Sequence, residues 1–190
     1  MNAKEFFDRF NEAISINNCE AVEKYLNGKA FTKVVISAIN SIINENPKYT
    51  QNELYRIDSI GWSDVDLPID CDKKIPRFKE HLWNLDVAVE HENDSKDWMY
   101  EVVKLVHVYC PLRVVISYLP LKSRMNVNKG DMAHLDYIIE KLKNLKSYDN
   151  MKQGEFLVII GNSNVEKIED FFNYKGYLFS PTEERFIEIC

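Results

Sequence analysis

The sequence predicts an α/β fold with one mixed sheet flanked by helices, and three observations carry that expectation. Apolar residues at 31, 34, 35, 38, 39, 42 and 43 recur at helical spacing and form a single stripe. The runs 112–119 and 155–160 are short and dominated by apolar residues, as in buried strands, and 85–93 opens on mostly apolar residues before Glu90 and Glu92. Helical patterns separate those runs, so helices come first and strands then alternate with helices, the order of an α/β domain.

Each element follows from its local pattern. Phe6, Phe7, Phe10, Ala13 and Ile14 mark a first helix, interrupted by Asn17 and Asn18. Residues 20–26 predict a short second helix, closed by Gly28. The stripe Phe31 to Ile43 has Lys33, Ser37, Asn40 and Asn44 opposite it, and Pro47 ends that helix. Residues 54–62 read as a strand containing Asp58. The segment 63–74 carries Asp64, Asp66, Asp70 and Asp72, and its Pro68 disfavours a central strand. It lacks the turn glycine and closing glutamate of a calcium loop.

The strand 85–93 follows, with Asp94 or Ser95 placed to cap the next helix and Asp97 near its positive end. Trp98, Val102, Leu105, Val106 and Tyr109 supply that helix's apolar face, which is expected to pack against the strand holding Val114 and Ile116. A polar loop leads to a helix start at Gly130 and Asp131, continued by Met132, Leu135, Ile138, Leu142 and Leu145. After 155–160, Gly161 and Asn162 read as a turn, 165–172 as a short helix, and the surroundings of Tyr177 and Phe186 as small strands.

Composition bounds the function. A chain of 190 residues with 45% apolar content can bury one core, so a single domain is expected. A net charge of −6 with pI near 5.3 argues against a broad basic surface for nucleic acid, while leaving a local basic track open. No apolar run is long enough to span a membrane, and the N-terminus lacks a signal-peptide core. Cys19, Cys71, Cys110 and Cys190 are widely spaced, which fits free thiols in a reducing cytoplasm. Nucleophile-elbow, phosphate-loop and dinucleotide-glycine motifs are all missing from the sequence.

The chemistry concentrates on two strands. Along 85–93, alternation places Asp86, Ala88, Glu90 and Glu92 on one face and His91 on the other. Neighbouring carboxylates repel and resist desolvation, so a fold keeps such a pair when a cation stands between them. Oxygen donors of this kind suit magnesium or manganese. Asp58 is a second charge set inside an apolar strand.

This order, a strand with an internal carboxylate, a later strand ending Glu90-His91-Glu92, then an amphipathic helix and the buried strand Val114-Val115-Ile116, resembles the restriction-endonuclease-like fold of the PD-(D/E)xK nuclease superfamily. The resemblance implies an αβββαβ core over residues 31–120, an N-terminal helical extension over 1–30 and a C-terminal α/β extension over 121–190. Asp58 matches the first acidic position and Glu90 the first carboxylate of the triplet. Glu92 stands where most members have lysine, a Glu-x-Glu form found in some restriction enzymes. Lys104, or Lys96, is then the candidate for the missing positive charge, although Glu101 three positions before Lys104 also fits a helix-surface pair. Glu45 and Glu53 are candidate supporting carboxylates, and Asp64, Asp70 and Asp72 are rivals to Asp58.

The resemblance implies metal-dependent hydrolysis of a phosphodiester, probed first on DNA, with Asp58 and Glu90 holding Mg2+ or Mn2+. Arg56, Lys122, Arg124 and Lys129, with Lys141, Lys143 and Lys146 as further candidates, are expected to follow the phosphate backbone. The alternative is an inactive module of the same fold that binds nucleic acid or a protein partner. A homodimer stays open on either reading.

Overall fold

The computed structural model describes residues 1–16, 28–45, 49–54, 56–62, 85–94, 96–126, 130–163, 170 and 172–189. The elements are α1 (Ala3–Ile16), α2 (Gly28–Glu45), β1 (Tyr49–Leu54), β2 (Ile57–Trp62), β3 (Val87–His91), α3 (Trp98–Val106), β4 (Leu112–Pro120), α4 (Leu121–Arg124), α5 (Asp131–Leu142), a 3-10 turn at Tyr148–Lys152, β5 (Glu155–Ser163), β6 (Lys175–Ser180) and β7 (Arg185–Ile189). The seven strands form one mixed sheet in chain order, β1 to β7. The pairs β3–β4 and β4–β5 are parallel and the other four are antiparallel.

Alternation along the strands divides the core between two faces. Val87, Val89, Val114, Ile116, Leu157 and Ile159 pack with α1 and α2, whose buried residues include Phe6, Phe10, Phe31, Val35 and Ile39. Ala88, Val115, Val158 and Ile160 face the opposite way, toward Trp98, Val102 and Leu105 of α3 and Leu135 and Ile138 of α5. The central strands are apolar on both faces because helices cover both. The start of α1 is held twice: Asn2 Oδ1 accepts the Glu5 N–H at 2.8 Å, and Glu155 Oε2 accepts the Ala3 N–H at 2.6 Å.

The sequence reading and the structure differ at several joints. The run 54–62 is not one strand: Leu54 closes β1 and pairs with Ile57, and Arg56 turns the chain with φ 64°. The strand β1 reads YTQNEL, and its polar residues hide it from an apolar pattern. α3 stops at Val106, three residues short of Tyr109, which is 81% exposed. Trp98, Val102 and Val106 do meet β4, but through Val115 and Leu119; Val114 and Ile116 point to the other face. α5 likewise ends at Leu142, leaving Leu145 exposed.

Gly161 and Asn162 do not turn the chain but continue β5, opposite Tyr118 and Leu119. A Cβ on Gly161 would stand 2.6 Å from Tyr174 and 2.9 Å from Tyr118, so this glycine serves close ring packing rather than a bend. Gly28 begins α2. The expected helix over 20–26 and the acidic segment 63–74 lie outside the described residues, as does nearly all of 165–172.

Candidate functional site

The register of β2 and β3 brings two charges together. Ser59 pairs with Val89 and Ile60 with Ala88, so the next step along the ladder sets Asp58 across from Glu90. Both side chains leave the sheet on the face of Ile60 and Ala88, beneath α3. Asp58 is half-buried, and its Oδ2 accepts the backbone N–H of His91 at 2.7 Å. The Glu90 carboxylate is only 2% exposed.

The helix α3 completes the cluster. Glu101 lies one turn before the buried Leu105, at the edge of the apolar stripe, which turns its carboxylate inward to 17% exposure. Lys104 reaches over from the same helix. Its Nζ lies 2.8 Å from Glu90 Oε1, pairs with Glu101 Oε2, and donates to the carbonyl of Arg56 at 2.9 Å. The bend at Arg56 is what aims that carbonyl at the ammonium. Lys104 therefore makes the surface pair with Glu101 that its spacing suggests, and at the same time binds Glu90.

Two carboxylates, Glu90 and Glu101, share one ammonium with Asp58 close by, and the electrostatics follow. Burial pushes the Glu90 carboxyl up to about 8; Lys104 opposes the rise, and Asp58 and Glu101 reinforce it. Burial also raises Asp58, against the His91 N–H that stabilises its anion, with Glu53 and Glu101 adding repulsion. Burial works against the charge on Lys104, but Glu101 and Glu90 outweigh it and raise the ammonium's proton affinity. With all four groups ionised the cluster carries two excess negative charges, the charge of one divalent cation.

The donor set is made of hard oxygens, two carboxylates and a backbone carbonyl already gathered round a cationic group, and its chemistry fits magnesium or manganese. Among the described residues, no three His, Cys, Asp or Glu side chains stand together as a ready metal-binding group. The convergence here is completed by an ammonium and a carbonyl instead of a third carboxylate.

The other sequence candidates fall elsewhere. Glu92 Oε1 accepts the Asp94 N–H at 2.7 Å, a local turn contact just beyond β3. His91 points to the opposite face, where Nε2 meets Tyr118 Oη at 3.0 Å beside the Phe31 ring, and burial holds it neutral. Arg56 and Lys122 are exposed. Arg124 turns inward, its side chain 6% exposed, forking onto Asp131 with Nε–Oδ1 at 2.9 Å and Nη2–Oδ2 at 2.8 Å. It also donates to Asn162 Oδ1 and, at 3.1 Å, to the Asn173 carbonyl.

Lys141 lies over the Tyr137 ring and Lys143 pairs with Glu184 at 3.2 Å. Glu53 is exposed and acts on Asp58 only through its charge. Lys129, Asp64, Asp70 and Asp72 lie outside the described residues, as does the side chain of Glu45. Glu101 is the site residue that sequence reasoning gave only a surface role. Its phase beside the Trp98, Val102 and Leu105 stripe was the available signal. No described helix is long and apolar enough to cross a membrane. No protein-family model, curated protein or solved structure matches the chain.

Proposed function

We propose that this chain is a metal-dependent nuclease of the restriction-endonuclease-like type, hydrolysing phosphodiester bonds, with DNA as the first substrate to test. The observation that carries this reading is the placement of Asp58 opposite Glu90, with Glu101 and Lys104 closing the same small volume from α3. The succession of α2, three strands, α3 and β4 supports it, being the order that the resemblance implies for the core.

In this reading Glu90 and Glu101 hold Mg2+ or Mn2+ with the Arg56 carbonyl as a further donor, and Asp58, whose Oδ2 accepts the His91 N–H, adds its charge from beside them. The bound cation would polarise the phosphate and lower the pKa of a water. Lys104 supplies the positive charge that Glu92 cannot, offsetting negative charge that develops on the phosphate. Arg56 and Lys122 are the exposed cations available to the backbone. The setting proposed is the cytoplasm, where a buried free thiol such as Cys110 persists. Incubation of plasmid and single-stranded DNA with Mn2+ tests the reading: cleavage by the parent chain and none by Glu90→Gln is the expected result.

One observation favours a second reading, a catalytically inactive module that binds nucleic acid or protein. Glu92 occupies the triplet's lysine place and is engaged with a backbone N–H, bringing no positive charge to the site. Binding of DNA or a protein partner that survives Glu90→Gln, without cleavage by either chain, selects it.

A further inference from the structure

The ammonium of Lys104 sits where a small cation would sit, on Glu90 Oε1 at 2.8 Å, the Arg56 carbonyl at 2.9 Å and the Glu101 carboxylate. Its partners are the fixed side of the arrangement. Glu90 is 2% exposed, Glu101 is 17% exposed, and the carbonyl belongs to the backbone turn between β1 and β2. Lys104 is the movable side: its side chain is 33% exposed and ends a flexible four-carbon stem with water at hand.

Resting on the reading of this cluster as a metal centre, we propose that Lys104 is a tethered counter-cation which a divalent ion must displace, so that metal loading and release of the ammonium into solvent are one coupled step. A divalent ion at oxygen distances of ~2.0–2.6 Å would use the same oxygen atoms that now hold the ammonium. Keeping both would set a single and a double positive charge side by side in a half-buried site, where repulsion is poorly screened. The tether keeps the competing ammonium at high effective concentration. Apparent metal affinity therefore falls by the fraction of molecules whose lysine is already out.

The released ammonium remains at the rim, one stem's length from the metal. A phosphate bound to the metal gives it a new anion to pair with. Metal and phosphodiester consequently bind with positive coupling, each removing an obstacle to the other. A site built this way stays lightly loaded until a phosphate-bearing ligand arrives.

Two measurements test the displacement. The first is a Mn2+ titration of the parent chain and Lys104→Met, read from the resonance of free Mn2+ and repeated at rising pH until each chain's affinity levels off, because losing the ammonium raises the Glu90 carboxyl further. Lys104→Met is expected to bind Mn2+ about tenfold more tightly or better. The second needs no variant: with 13C-labelled lysine, the Lys104 Cε resonance should move to the position of a solvent-exposed lysine as Mg2+ saturates the parent chain. A Lys104 resonance unmoved at Mg2+ saturation, or a Lys104→Met chain that binds Mn2+ no better than the parent, overturns the displacement and leaves the metal centre standing. Failure of both chains to bind Mn2+ overturns the metal-centre reading, and the displacement with it.

Discussion

Lys104 and Glu90, on a helix and on the strand beneath it, form an ion pair of 2.8 Å in which the carboxylate is buried and the ammonium is not. The asymmetry makes the carboxylate the sensitive partner. Burial, reinforced by Asp58 and Glu101 and opposed by Lys104, raises the folded-state Glu90 carboxyl from its ordinary 4.5 to about 8. Between those values the folded state binds more protons than the unfolded one, so stability falls as pH rises through the window and levels off above it. The expected loss is on the order of a few kcal/mol. Urea midpoints recorded from pH 5 to pH 9 should show it, and Glu90→Gln should flatten the slope.

Trp98 is the anchor of α3, fully buried against the face that carries Ala88 and Val115. Trp98→Ala is expected to cost ~3–5 kcal/mol in denaturant unfolding, from lost burial and the cavity left behind. Tyr109→Ser, three residues beyond the helix end, should change stability by about 0.5 kcal/mol or less. Equal effects at the two positions would contradict the phase assigned to α3.

Asp131 is buried at the start of α5, where it accepts a fork from Arg124 and the Tyr177 hydroxyl at 2.7 Å. Removing the charge from one partner strands the other away from water. Asp131→Asn is expected to destabilise by ~3–5 kcal/mol. Tyr177→Phe, which removes one donor and leaves the ion pair, should cost about 1–2 kcal/mol. If Arg124 instead serves nucleic acid, Arg124→Met would weaken DNA binding with an unchanged melting temperature.

Gly161 can carry no side chain without moving two rings. Gly161→Ala is expected to cost ~1–3 kcal/mol through overpacking against Tyr174 and Tyr118. The companion double variant with Tyr174→Leu, which removes the nearest ring, should recover part of the loss.

Cys110 is buried, donates to the Leu112 carbonyl at 3.1 Å, and has its thiol pushed up to about 12 by burial. It should resist thiol reagents in the native chain and react once urea unfolds it. Rapid native labelling at Cys110, identified by peptide mapping, would show that this end of the core opens.

Much of the architecture was legible because periodicity records burial. The α2 stripe and the central strands bury the positions that their spacing marks, and α5 buries Leu135, Ile138 and Leu142 of its own. Asp58 and Glu90 were legible for the converse reason, as charges interrupting runs that otherwise avoid water. β1 was not legible, because an edge strand with polar residues leaves no alternation of hydropathy to read. The ends of α3 and α5 were overextended, since an apolar residue at helical phase, such as Tyr109 or Leu145, carries no mark of whether the helix persists to it. Glu101 was missed because spacing from Lys104 is a property of one helix, whereas its contact with Glu90's neighbourhood depends on how that helix sits on the sheet.

The chain-order sheet has a kinetic consequence. Each strand pairs with the one made just before it, so a nascent chain can extend the sheet strand by strand without opening a completed pair. α1 is the exception. Its first turn is tied to Glu155, and its apolar face packs with Leu157 and Ile159, which are synthesised last but for two strands. The first helix made can pack on α2 at once but lacks its place on the sheet until β5 exists, and that docking closes a very long loop, the kind of contact whose entropy cost slows folding.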